Sequence, residues 1–81
     1  MRLTLVFFGR LADVAGRELP FDSAARNVGG LRRELAGRFP GLAEDLLGSR
    51  VRICIADSLV SDDEALHDGQ RLDILSPLSG G

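Results

Sequence analysis

Few side chains in this sequence could do chemistry unaided. Cys54 is the only cysteine and His67 the only histidine. One thiol allows no internal disulfide and no multi-cysteine zinc site. One imidazole leaves a Ser-His-Asp arrangement a single candidate base, and a metal site would rest on that His plus carboxylates. Nothing next to Cys54 in sequence would activate its thiol, so it reads as a small apolar residue on a strand. His67 reads as a surface-loop residue beside Asp68. All 10 basic residues are Arg. A Schiff-base lysine and a P-loop lysine are therefore excluded, and the chain offers no lysine side chain for isopeptide attachment. Asp62, Asp63 and Glu64 lack the spacing of a calcium loop and read as a solvated loop. Arg26, Val28-Gly29-Gly30 and Arg32 have the look of an anion cradle at a helix start. They match neither glycine pattern that holds nucleotides, so a glycine-rich first helical turn is expected instead. The pair Gly80-Gly81, taken alone, reads as an ordinary frayed terminus.

The frame that must position these residues is small. The chain has 81 residues, which makes one domain. Apolar residues make up 44%, enough for a conventional single core and too many for a disordered chain. The net charge of −2 gives no reason to expect nucleic-acid or membrane binding by bulk electrostatics. No apolar run approaches the ~18 residues of a membrane span. The N-terminus lacks the layout of a signal peptide, so a cytoplasmic location is expected.

Arg2–Phe8 is predicted as a strand with Leu3, Leu5 and Phe7 on one face. Thr4, Val6 and Phe8 fall on the other, which is therefore not cleanly polar. Gly9–Gly16 reads as a short helical turn carrying Leu11, Val14 and Ala15, with Gly16 ending it in the left-handed conformation. Glu18–Phe21 is a weaker strand, and Pro20 confines it to a sheet edge. Asn27 is placed to cap a helix whose stripe is Val28, Leu31, Leu35 and Phe39, with Arg32, Arg33, Glu34 and Arg38 mostly off it. Gly29, Gly30 and Gly37 weaken this helix by roughly 1 kcal/mol each, so docking must hold it. Phe39-Pro40-Gly41 stops it, and Leu42–Leu47 can form another short turn ended by Gly48. Val51–Ala56 alternates with Val51, Ile53 and Ile55 inward. A short extended piece follows at Ser58–Val60, then an acidic loop Asp62–Gly69 whose Asp68-Gly69 is a turn signal. Arg71–Leu75 is the last strand, with Leu72 and Ile74 inward and Leu75 outward. One substantial helix over four or five strands indicates a two-layer α+β domain with one sheet face partly open.

Three segments, FFGRLADVAG, LRRELAGRFPGL and LVSDDEALHDGQRLDILSPLSGG, together resemble the small sulfur-carrier subunit of molybdopterin synthase, the MoaD family within the ubiquitin-like sulfur carriers. The resemblance covers nearly the whole chain. It implies an α+β, ubiquitin-like β-grasp fold with a mixed four- to five-stranded sheet packed on one main helix. Residues 1–75 would form that domain, and 76–81 an extended, flexible tail ending in Gly-Gly. The sequence departs from many relatives at Ala56-Asp57, where an Asn is expected.

The family chemistry would use the terminal carboxyl of Gly81. An α-carboxyl has a pKa of about 3.3–3.7, so it is a carboxylate at neutral pH and resists nucleophilic attack. The resemblance implies that a ubiquitin-activating-like adenylating enzyme spends ATP-Mg to make an acyl-adenylate at Gly81. A sulfur donor would then displace AMP, leaving a thiocarboxylate. The large catalytic subunit of molybdopterin synthase would use that sulfur for the dithiolene of molybdopterin. The chain itself would be a non-catalytic co-substrate with no permanently bound cofactor and no metal. Gly80, lacking a Cβ, would let the tail thread a narrow active site. Strand parity leaves Phe8 and Leu75 as large apolar residues on the open sheet face, and the resemblance adds Leu59. These three would dock the partner subunit. Val6 reads equally as part of that surface or as packing beneath Leu11–Ala15. Related readings are a carrier for thiamine or another thio-product, a protein modifier, and a plain interaction domain with an inert tail. Thiamine carriers are typically shorter and lack a counterpart of Gly9–Gly16.

Overall fold

The period-two alternation at the N-terminus becomes strand β1 (Arg2–Phe7), whose Leu3, Leu5 and Phe7 are almost fully buried. A computed structural model describes residues 1–76. After β1 come helix α1 (Arg10–Ala15), strand β2 (Glu18–Asp22) and the main helix α2 (Val28–Arg38). A 3-10 turn at Pro40–Leu42 leads into helix α3 (Ala43–Leu47), then strands β3 (Arg52–Ile55), β4 (Ser58–Leu59) and β5 (Arg71–Leu75). The five strands form one sheet in the order β2-β1-β5-β3-β4. β1 and β5 are parallel, with Leu5 opposite Leu72 and Phe7 opposite Ile74. All other pairs are antiparallel. This is the expected β-grasp arrangement, and β2, with Pro20, lies at the edge as its missing N–H requires.

One face of the sheet shares a core with Val28, Leu31 and Leu35 of α2. Phe39, just past α2, meets Phe7 edge-on with ring centroids 6.3 Å apart. The short turns after α2 contribute Leu42 and Leu46 to the same core. Asn27 caps α2 as expected, its side chain accepting from the Gly30 N–H at 2.9 Å. Gly16 differs from expectation. Its φ of 86° is positive, but its ψ of 166° is extended rather than left-handed. β2 starts two residues later at Glu18, so the chain must leave α1 already extended. Even so, the Gly16 N–H donates to the Ala12 carbonyl at 2.9 Å.

The start of α2 is occupied by its own chain. The Val28 N–H donates to the Glu64 carbonyl at 3.0 Å, and the Gly29 N–H to the Asp62 carbonyl at 2.9 Å. The first donors of the helix, which could have held an anion, are thus spent on the loop after β4. Gly29 makes the approach possible: a Cβ there would stand 3.1 Å from Asp62 Cβ and 3.4 Å from its carbonyl oxygen.

Arg32 corrects the sequence reading. It lies inside, with only 9% of its surface exposed. Its Nη1 donates to the Leu46 carbonyl at 2.9 Å and its Nη2 to the Val51 carbonyl at 2.7 Å. Its Nε donates to Asp62 Oδ1 at 2.9 Å. One guanidinium ties α2 to the end of α3, the entry to β3 and the acidic loop. Its planar fork of donors suits three acceptors at once, which an ammonium could not match. Arg32→Met keeps the apolar stem and deletes the donors. Two carbonyls would then be left without this partner, at about 1–3 kcal/mol each. Urea unfolding should show a loss of about 3 kcal/mol, against less than about 1 kcal/mol for Asp62→Asn, whose carboxylate is largely in water.

Candidate functional site

Parallel pairing of β1 and β5 makes their C-terminal ends emerge side by side at one end of the sheet. The Phe8 N–H donates to the Ile74 carbonyl at 3.0 Å, carrying the ladder one step beyond β1. That register sets Phe8 beside Leu75 on the face opposite α2. Phe8 is 46% exposed, and Leu75 is half-buried. Phe8 therefore does not pack under α1, whose Leu11 points into the main core.

Leu59 sits on the same open face by register, because it opposes Cys54, which opposes Asp73. It is 57% exposed. Arg52 and Cys54 lie between it and Leu75, since Arg52 is the residue opposite Leu75. The structure thus joins two of the three expected docking residues directly and places the third two strands away. Val6 is not part of the exposed surface. It is buried outside the main core, in register with Glu18 and Asp73. An ion pair between Arg71 of β5 and Glu18 of β2, at 3.6 Å, reaches over β1 on this face. Those two long side chains shield the valine.

Ser76, assigned from sequence to the tail, bonds back to the body: its Oγ donates to the Phe8 carbonyl at 3.1 Å. Gly80 and Gly81 lie outside the described residues. His67 is exposed and Cys54 half-buried on the open face. Among the described residues, no three His, Cys, Asp or Glu side chains gather to hold a metal. No helix among them is long and apolar enough to cross a membrane. The described site is therefore an apolar surface beside the point where the chain leaves the sheet. Its features suit recognition of a partner.

The model of the ThiS family matches residues 5–81. The chain belongs to the ThiS family. No curated protein sequence matches it significantly. Among solved structures, SAMP1 from Haloferax volcanii is 27% identical with a TM-score of 0.80, each chain covering 100% of the other. The HVO 2177 protein of Haloferax volcanii is 26% identical with a TM-score of 0.84, covering 100% of this chain and 87% of that one. A chain in the complex of subunits 1 and 2 of molybdopterin-converting factor from Helicobacter pylori 26695 is 26% identical, with full coverage of both chains and a TM-score of 0.68. The protein is accordingly a ubiquitin-like member of the sulfur-carrier and modifier class.

Within this ThiS-family chain, the β3–β4 hairpin places Leu59, and its turn carries the departure noted in the sequence. Ala56 and Asp57 both have positive φ, 51° and 67°. Two left-handed central residues define the turn type that favours Asn-Gly, because Ala has no polar side chain to offset the crowding of its Cβ. Replacing Ala56-Asp57 by Asn-Gly should stabilise the protein by about 1 kcal/mol, readable as a rise in melting temperature.

Proposed function

We propose that this protein is a sulfur carrier whose Gly81 carboxylate is adenylated, converted to a thiocarboxylate, and used to supply sulfur to the dithiolene of molybdopterin. The observation that carries the reading is exposed Phe8 beside half-buried Leu75 at the place where the C-terminal segment departs. A partner gripping that pair would receive the last residues of the chain at its own active site. The full-length likeness to a chain found in a molybdopterin-converting factor complex supports a second subunit as that partner.

The chemistry divides between the proteins. The Gly81 carboxylate attacks the α-phosphate of ATP on the adenylating enzyme and pyrophosphate leaves. The sulfur donor then attacks the acyl carbon of the mixed anhydride, and AMP leaves. This chain contributes the acyl group and the docking surface, while charge stabilisation and the ATP-Mg site belong to the partners. Gly80 and Gly81 offer no side chain to obstruct passage of the backbone.

The likeness to SAMP1 supports a second reading, a protein modifier that reaches the same adenylate and then acylates an amine. The two readings part at the acceptor. Turnover of the thiocarboxylated chain by the large synthase subunit supports the first, whereas isopeptide conjugates to other proteins support the second.

Deleting Gly81, or placing a β-branched residue at position 80, should abolish or sharply reduce loading while the fold persists. Intact-mass analysis after incubation with the adenylating enzyme, ATP and a sulfur source reads this out. Normal loading of the truncated chain would sink the proposal.

Docking is testable separately. Phe8→Ala and Leu75→Glu should each weaken binding to the large subunit by about 2 kcal/mol or more, roughly thirtyfold. The melting temperature should change little, because neither residue belongs to the main core. Unchanged affinity in both calorimetric titrations would move the docking surface elsewhere.

A further inference from the structure

We propose that Gly9 and Ser76 form a latch that aims the C-terminal segment, making Ser76 a positioning residue for adenylation of Gly81. The inference rests on the sulfur-carrier reading above and adds a control that the docking surface does not supply.

The geometry begins with the strand ends. β1 and β5 finish together, and the last shared bond is the Phe8 N–H to the Ile74 carbonyl. One residue further on, Ser76 Oγ donates to the Phe8 carbonyl at 3.1 Å. The chain is thereby fastened to β1 from both sides of Leu75. Gly9, the next residue after Phe8, has φ 64° and ψ −142°, a conformation essentially restricted to glycine. A Cβ at Gly9 would overlap Ser76 Oγ and stand 3.4 Å from Ser76 Cβ. Gly9 thus turns the chain into α1 and leaves the space in which the Ser76 hydroxyl sits. In sequence, Ser76 precedes Pro77, and pre-proline sterics hold such a residue extended. The hydroxyl and the proline restrain the same pivot.

The pivot matters because of leverage. Positions 77–81 make five residues beyond Ser76, and such a segment spans at most about 17 Å. A swing of about 30° at its base would move its end by roughly 9 Å at that reach. Holding the base raises the effective concentration of the terminal carboxylate at the partner's ATP site once docking has occurred. The residues that bind and the residue that aims are distinct, so their losses appear in different constants.

The test uses the full chain with its adenylating enzyme and ATP. Ser76→Ala removes the hydroxyl and Ser76→Thr restores it. Three quantities are read: the dissociation constant by calorimetry, the single-turnover rate of pyrophosphate release, and the backbone order parameter at residue 76. Ser76→Ala should leave the dissociation constant within about twofold and slow adenylation by about three- to tenfold, the worth of one hydrogen bond. Its order parameter should fall from the rigid range near 0.85. Ser76→Thr should behave like the parent. Gly9→Ala should reproduce the slow adenylation, and the serine pair decides the matter if that variant folds poorly. An unchanged rate and order parameter in Ser76→Ala, with normal loading of the parent chain, overturns the latch alone. A parent chain that cannot be loaded at all overturns the sulfur-carrier reading, and the positioning role with it.

Discussion

The structure hangs on the parallel pairing of its first and last strands. β1 and β5 lie side by side within the sheet, so segments Arg2–Phe7 and Arg71–Leu75 are hydrogen-bonded to one another. Parallel neighbours cannot be joined by a tight turn. The intervening chain must therefore cross the sheet, and α2 supplies the apolar stripe that covers one face on the way. The same pairing decides where the chain leaves. Because both strands run in one direction, Phe8, Gly9, Leu75 and Ser76 meet at one end of the sheet, although 66 positions separate Gly9 from Leu75 in the sequence.

A second tie holds the crossover in place. Arg32 reaches three acceptors, on the end of α3, the entry to β3 and the acidic loop. The acidic loop adds main-chain bonds to the helix start, with the Leu66 N–H donating to the Arg26 carbonyl and the Val28 N–H returning to Glu64. Leu66 is buried as a result. A helix with three glycines has little stability of its own. Here two of them, Gly29 and Gly30, lie where neighbouring segments come close, and docking replaces propensity. The acidic segment that reads as solvent-facing is, through its backbone, part of the framework.

The two sheet faces are divided between packing and recognition. The inner face is closed by the core. The outer face is polar toward β2, where Glu18 and Arg71 cover Val6, and apolar at the strand ends, where Phe8 and Leu75 stay accessible. A recognition surface beside a main-chain exit needs no activated side chain.

Much of this was legible in residue order, because the relevant forces are local. Alternation in Arg2–Phe7 and Arg71–Leu75 reports which side chains face the core. Pro20 marks an edge strand because it lacks an N–H, and Asn27 marks a helix start because its side chain accepts from that helix's first turn. The outward parity of Phe8 and Leu75 follows from the same period of two. Other features required the folded chain. Arg32 lies about 40° around the helix from Val28 at 3.6 residues per turn. Its burial depends on carbonyls contributed 14 and 19 positions later. The proximity of Phe8 to Leu75, the shield over Val6, and the contact between Gly9 and Ser76 all arise from strand pairing. Local sequence states what a residue prefers; it cannot state which distant acceptor or surface will meet it. That choice is made by the sheet, whose register is set by burying every inward side chain at once.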